Sequence, residues 1–369
     1  MKKAPKYLLA IVAVTAAAFA LSQTALNRIL SLSTYSSSKE SFSFSDFYVR
    51  TASHGVARMS EDIAVVDIGD LNRAGIAALL DALSMMQPKA VAIDVFFRYP
   101  GQEGDADLSD AVCLTEGMVL PLDATRPDLV SFFYDDVLDA RFGAVNLSAG
   151  SARDVVRSYR PVFDTENGPL EAVGLAVAEQ LRPDLAAQVR QRGAASELIR
   201  FDGVEFPIFE ADEILSGEPS VAETIRGRGV FVGDLHDLQD VHLTPAEADM
   251  PGLLIHAKIA QTILSGKPLR QVPRWLVVLI AALVCALFTW ISLLIRDHKW
   301  GKASSLLVRG SQFLLMVAFF YIGYSLYIGP GILLDFSLPM MMIGLGALAY
   351  DLMYGFYDLF TKVLFKKKK

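Results

Sequence analysis

Apolar positions crowd both ends of the chain, while the middle alternates short apolar runs with polar turns. Residues 7–21 (YLLAIVAVTAAAFAL) form one unbroken apolar stretch, preceded by Lys2, Lys3 and Lys6. Three more lie at 275–295, 313–328 and 332–354. A spanning helix needs about 20 mostly apolar residues, so the pattern predicts four membrane segments. The first also contains Ala18-Phe19-Ala20, the small-x-small form of a signal-peptide cleavage site. It is read here as a retained anchor, and under either reading the residues after it are exported.

The middle of the chain has another rhythm. Residues 63–68 (IAVVDI), 90–96 (AVAIDVF) and 229–233 (GVFVG) are short runs rich in Val, Ile and Phe between turn signals, as expected of strands buried on both faces. Between the first two, residues 72–84 place Ile76, Leu79, Leu80 and Leu83 at helical spacing and close on Gln87-Pro88-Lys89. That is a strand–helix–strand unit, whose two strands run parallel. A helix over 256–264 stops at Gly266 before Pro268, and residues 170–180 and 211–215 read as further helices. The expected class is an α/β exported domain with a mainly parallel sheet, plus a helical membrane part of four segments. The domain plan is an anchor (1–29), an exported domain (30–272), a three-helix membrane bundle (273–358) and a basic cytoplasmic tail (359–369).

Charge sets the orientation. Lys and Arg mark cytoplasmic flanks, and they gather at Lys2, Lys3 and Lys6, at Arg296, Lys299, Lys302 and Arg309, and at Lys366–Lys369. The turn Gly329-Pro330-Gly331 has no basic neighbour. These flanks agree if residues 30–272 lie outside a bacterial cytoplasmic membrane that the chain crosses several times. The net charge is −7, and residues 30–272 hold 37 acidic against 20 basic side chains. So acidic a domain is a poor partner for nucleic acid and a better one for cations. Cys113 is alone in the exported stretch and Cys285 lies in a membrane segment, so no disulfide framework is available.

The chemistry gathers at strand ends. Asp67 and Asp70 close the first predicted strand, Asp94 stands near the end of the second and Asp234 just past the third. Ligands of open parallel sheets bind outside the carboxyl ends of the strands, so neighbouring strands would bring these acids to one rim. The stretch GVFVGDLHDLQDVHLTP (229–245) then adds His236, Asp237, Asp240, His242 and Thr244, in a chain with five histidines. A metal site, a ligand-sensing loop and a solvated turn all fit it. As a metal site its candidates are Asp234, Asp240 and His242; carboxylates mixed with imidazoles name no single ion, and the cofactor stays unknown. Asp70 and Asp234 also suit backbone capping, and His256 reads as a satisfied core histidine. No P-loop, G-x-G-x-x-G, H-E-x-x-H or G-x-S-x-G is present.

The order of these motifs resembles the type-two CHASE domain, an extracytoplasmic sensory module. The resemblance is carried by IAVVDIGDLNRAGIAALLDAL, QPKAVAIDVFF and DADL at 105–108, then GAVNL at 143–147, DVVRSYRPVF at 154–163 and FPIFEADEILSG at 206–217. RGRGVFVGDLHDLQDVHLTP and MPGLLIHAKIAQTILSG at 250–266 complete it. One anchor before the domain and three membrane helices after it are the family's usual layout. The family pattern of aspartate followed by threonine-proline falls on Asp240, Thr244 and Pro245, where a loop-fixing role is expected. The tryptophan-containing turn of many members is missing, since Leu71-Asn72-Arg73 runs straight into helix.

The resemblance implies a sensor or receptor subunit, not an enzyme, and names no ligand; the strand ends and the loop after the third strand offer Asp67, Asp70, Asp94, Asp234, His236, Asp240, His242 and Thr244 as candidates to bind a small solute or cation. Many members continue into a cytoplasmic kinase or cyclase, whereas this sequence ends at Lys369. Output is therefore expected through a separate signalling or envelope protein, or through a homo-oligomer, with the small residues Gly344, Gly346 and Ala347 as helix-contact positions. Asp351 is expected to pack or snorkel. An accessory subunit of an envelope complex is the alternative. A metal-dependent phosphoesterase is a second one, against which Asp67-Ile68-Gly69 lacks the histidine two places on.

Overall fold

A computed structural model of the chain describes residues 4–22, 44–55, 57–126, 130–133, 140–147, 155–298 and 303–365. Lys2, Lys3, Asp154, Lys299, Lys302, Lys366–Lys369 and the Ser-rich residues 31–43 lie outside the described residues. The chain divides into two compact units, one of residues 49–269 and one of residues 1–48 with 270–369.

The unit of residues 49–269 is built on a six-stranded sheet. Its strands are β1 (Ile63–Asp67), β2 (Ala90–Ile93), β3 (Met118–Leu122), β4 (Arg141–Ala144), β5 (Ile208–Glu210) and β6 (Gly229–Gly233). Their spatial order is β5-β1-β6-β2-β3-β4, and every pairing is parallel. The three strands expected from the sequence are present and adjacent, with β6 inserted between β1 and β2. Every residue of β1, β2 and β6 is buried, which is why these strands read as continuous apolar runs instead of alternating ones.

One sheet face, carrying Ala64, Val66, Val91, Ile93, Val230 and Val232, shares a core with Ile76, Leu79, Leu80 and Leu83 of the helix Arg73–Met86. Leu108, Ile214 and Ile225 from later helices complete that core. Fully burying each leucine is worth about 2 kcal/mol. The helix starts where Asn72 accepts the Gly75 N–H at 2.9 Å, and it ends where Gln87 takes the left-handed conformation (φ 58°) before Pro88. Against the other face lie the helices Val173–Leu181 and Gly252–Leu264. They approach each other at Gly174, where a Cβ would stand 2.9 Å from the backbone nitrogen of Ala260.

Several boundaries differ from expectation. The helix expected over 170–180 begins at Val173, because Gly168–Glu171 pairs back on Val162–Thr165 as a hairpin that turns through Gly168 at φ 107°. β2 ends at Ile93, three residues before Phe96. The helix expected from His256 starts at Gly252, directly after Pro251, so His256 sits one turn inside it. β3, β4 and β5 were not expected as strands.

The second unit contains the helices Ala4–Ser22, Arg274–Asp297, Ala303–Ile328 and Ser337–Phe365. Two helical stretches, Arg274–Asp297 and Ser304–Ile328, are long and apolar enough to cross a membrane. In the first and last helices the apolar part is shorter, Tyr7–Ala20 and Ser337–Met353. The last helix begins at Ser337 instead of residue 332, because Ile332–Leu333 pairs as a parallel strand with Arg270–Gln271 and Asp335 accepts the Ser337 N–H at 2.9 Å. Val14, Ala18, Ala281, Cys285, Met342, Leu345, Ala349 and Tyr350 form one apolar cluster. Gly346 is the close-approach residue, since a Cβ there would meet the Cys285 sulfur at 2.8 Å; Gly344 faces open space. Asp351 is paired with Arg309 at 2.5 Å.

Candidate functional site

Parallel pairing sends the carboxyl ends of β6, β2, β3 and β4 to one edge of the sheet, and a cavity of about 680 Å³ opens there. Asp94 enters it directly after β2, Asp123 directly after β3, and Val145, Asn146 and Leu147 directly after β4. The loop after β6 supplies Asp234, Asp237, Asp240 and His242, and the helix Gly252–Leu264 supplies His256. Arg98 and Arg126 are the cationic residues of the lining.

The two strand-end aspartates differ in their donors. Asp123 is buried, which by itself raises a carboxyl pKa. It nevertheless accepts from Asn146 Nδ2 (2.7 Å), Thr125 Oγ1 (2.7 Å), the Thr125 N–H (2.9 Å) and Arg126 Nε (2.7 Å). These bonds outweigh burial and hold it well below the usual carboxylate range. Asp94 has no such set. Burial first, and then the nearby charge of Asp240, push its pKa up to about 7 against the opposing pull of His242.

Asp94 Oδ2 lies 3.9 Å from Nε2 of His256. His256 is buried, as expected of a core histidine; its Nδ1 makes no hydrogen bond of ordinary geometry, and the Val145 backbone is the hydrogen-bonding group beside the ring. Burial lowers its pKa to about 4 even though Asp240 pulls the other way, so the ring is neutral at pH 7. Asp240 pairs with His242 across 3.1 Å, and its backbone carbonyl accepts the Gly252 N–H at 2.8 Å. Its carboxylate lies over Gly252, where a Cβ would come within 2.3 Å of Oδ2. Only glycine lets an acid lie so close to the first turn of that helix, where backbone N–H groups favour negative charge.

A second constellation stands where β1 and β6 end. Asp67, the last residue of β1, is 1% exposed and its Oδ1 accepts the N–H groups of Gly69 (3.1 Å) and Leu235 (3.2 Å). Its Oδ2 is 2.8 Å from Nδ1 of His236. Ligand atoms of Asp67, Asp234 and His236 all lie within 4.8 Å of one another, the one group of this kind among the described residues. The metal candidates read from the sequence, Asp234, Asp240 and His242, are therefore divided: Asp234 groups with Asp67 and His236, while Asp240 and His242 pair with each other.

Of the other candidate residues, Asp70 is exposed on its turn and Thr244 is buried in a loop, and neither lines the cavity. Thr244 instead donates to the Glu247 carbonyl (2.9 Å) and accepts the Glu247 N–H (3.0 Å), which fixes the turn around Pro245. Sequence reasoning missed Asp123, Asn146, Arg98 and Arg126. The signal for Asp123 was present: MVLPL ending in an acid has the same form as IAVVD.

Comparison with known proteins adds the lineage. No curated protein matches the chain, and no solved structure does. The family description that matches is the CHASE2 domain, over residues 10–293. CHASE2 domains are extracytoplasmic sensory domains of membrane proteins. With that match covering most of the sequence and the whole of the six-stranded sheet, the chain belongs to the CHASE2 domain family.

Proposed function

We propose that the chain is a sensor of a bacterial cytoplasmic membrane, with residues 30–272 outside the cytoplasm and a small polar solute bound in the strand-end cavity. The observation that carries this reading is the cavity itself: about 680 Å³, at the carboxyl ends of parallel strands, with His256 buried in its wall. Such edges are where open parallel sheets hold ligands. Asp94, Asp237 and Asp240 would receive a cationic group, and Arg98 with Arg126 an anionic one, so a zwitterionic or cationic solute fits best. The four apolar helices serve as four membrane segments in this reading, two of them by length and hydropathy.

A ligand that binds only the folded state raises its stability by about 2.7 kcal/mol at a hundredfold excess over Kd. The test is thermal unfolding of the full chain in detergent, screened against amino acids, polyamines and betaines. At least one solute should raise the midpoint of the wild type and not that of an Asp240→Ala, His242→Ala double variant. Equal shifts in both, or no shift with any solute, would remove the cavity from consideration. Orientation is read separately. A reporter active only outside the cytoplasm should work when fused after Lys267 and fail after His298; the opposite pattern overturns the topology.

A further inference from the structure

We propose that Asp67, Asp234 and His236 form a binding site for a divalent transition-metal ion of the zinc class, open to solvent on one side. The carboxylate of Asp67 is the anchor. Its Oδ1 is held by the N–H groups of Gly69 and Leu235, one from the loop after β1 and one from the loop after β6. Its Oδ2 is buried and accepts no hydrogen bond. A buried carboxylate oxygen without a donor is costly, and native structures rarely leave one so.

The Nδ1 of His236 stands 2.8 Å from this oxygen, outside hydrogen-bond geometry. A buried carboxylate oxygen and an imidazole nitrogen brought together in this way are two ligand atoms that one cation can share. Asp234 supplies the third. Its Oδ1 accepts the His236 N–H at 2.7 Å, which fixes the loop that carries both side chains. Asp234 and His236 are exposed, so water or a solute would fill the remaining coordination positions. This is the arrangement of an open site, in contrast to a closed structural one.

The donor set selects the ion class. One imidazole with two carboxylates suits zinc, cobalt or manganese, whereas calcium and magnesium take oxygen ligands throughout. Asp234 also lines the strand-end cavity, so the ion would sit at its rim. The inference does not depend on the sensor reading, because binding of the metal alone is measured.

The test is titration of chelator-stripped full chain in detergent with Co²⁺, followed by its visible absorption, and competition with Zn²⁺. One Co²⁺ per chain is expected, displaced by Zn²⁺ and not by Mg²⁺. His236→Ala and Asp234→Asn should each weaken binding by at least about tenfold, as loss of even an outer partner of a metal ligand does. Both side chains are exposed, so these variants leave the core untouched; unchanged thermal unfolding without metal checks this. The Asp240→Ala, His242→Ala variant should bind Co²⁺ as the wild type does. No Co²⁺ band, equal affinity in the His236 and Asp234 variants, or loss confined to the Asp240/His242 variant would each overturn the assignment.

Discussion

Asp94 and Asp123 occupy matching places. Each follows directly on its strand, the two strands are neighbours, and both side chains line the same cavity. Yet one carboxyl is pushed up to about 7 while the other is held below the usual range. Burial raises both pKa values, and more strongly that of Asp94; only Asp123 has donors that outweigh it. Asp123 is met by an amide, a hydroxyl, backbone N–H groups and a guanidinium, whereas Asp94 faces another acid and a neutral ring. Donors decide which buried acid stays charged. The cavity therefore has one wall with a settled charge and one whose charge can change near neutral pH.

The largest effect should appear in the pH dependence of stability. Folding holds His256 near 4 instead of 6.5, so between those values the unfolded chain carries a proton that the folded chain lacks, and stability rises with pH. Asp94 acts the other way. From 3.8 to about 7 its folded carboxyl keeps a proton that the unfolded one has released, so stability falls as pH rises. The two slopes oppose each other in the wild type. Asp94→Asn removes one of them, and relative to wild type its stability should climb by about 3 kcal/mol between pH 4 and 6.5. Denaturant unfolding of the full chain in micelles across that range is the measurement; parallel curves for the two proteins would show Asp94 titrating as an ordinary carboxyl.

A smaller effect tests the settled wall. Asp123→Ala removes a charged acceptor from the half-buried Asn146 amide and from the exposed Thr125 and Arg126, and should cost about 2 kcal/mol at pH 8, where Asp94→Ala costs less because an unfavourable charge goes with it. Asn146→Ala, which removes one donor of several, should cost about 1 kcal/mol. If Asp94→Ala proved the more damaging of the two aspartate variants, the contrast in donors would not be what distinguishes these residues.

The half of the sheet legible in the sequence was the half whose strands are apolar without interruption. IAVVD and GVFVG are buried throughout and announce themselves, and the stripe Ile76, Leu79, Leu80, Leu83 fixes the helix between β1 and β2. β3 is buried up to Leu122 but contains Pro121, β4 begins with the exposed Arg141, and β5 is a three-residue edge strand. None of these has the length or purity that periodicity needs. The site inherits that division. Asp67, Asp94 and Asp234 follow legible strands, whereas Asp123 and Asn146 follow strands that were not seen. His256 is the core residue expected but sits one turn inside its helix, which starts at Gly252, and nothing local shows that the Asp240 carboxylate reaches over that glycine.

The placement of β6 has a consequence for how the molecule is made. It is the last of the six strands in the chain, yet it fills the slot between β1 and β2 and joins partners as distant as Ile63 and Gly229. Pairings of such long range come late in folding and slowly, because a large loop must close before any contact repays it. Until Gly229–Gly233 arrives, β1 and β2 each present an unpaired edge, the kind that invites pairing with another chain. The central seam of the sheet can close only after Gly233 has been synthesised, and the cavity rim that β6 completes comes into being at that same moment.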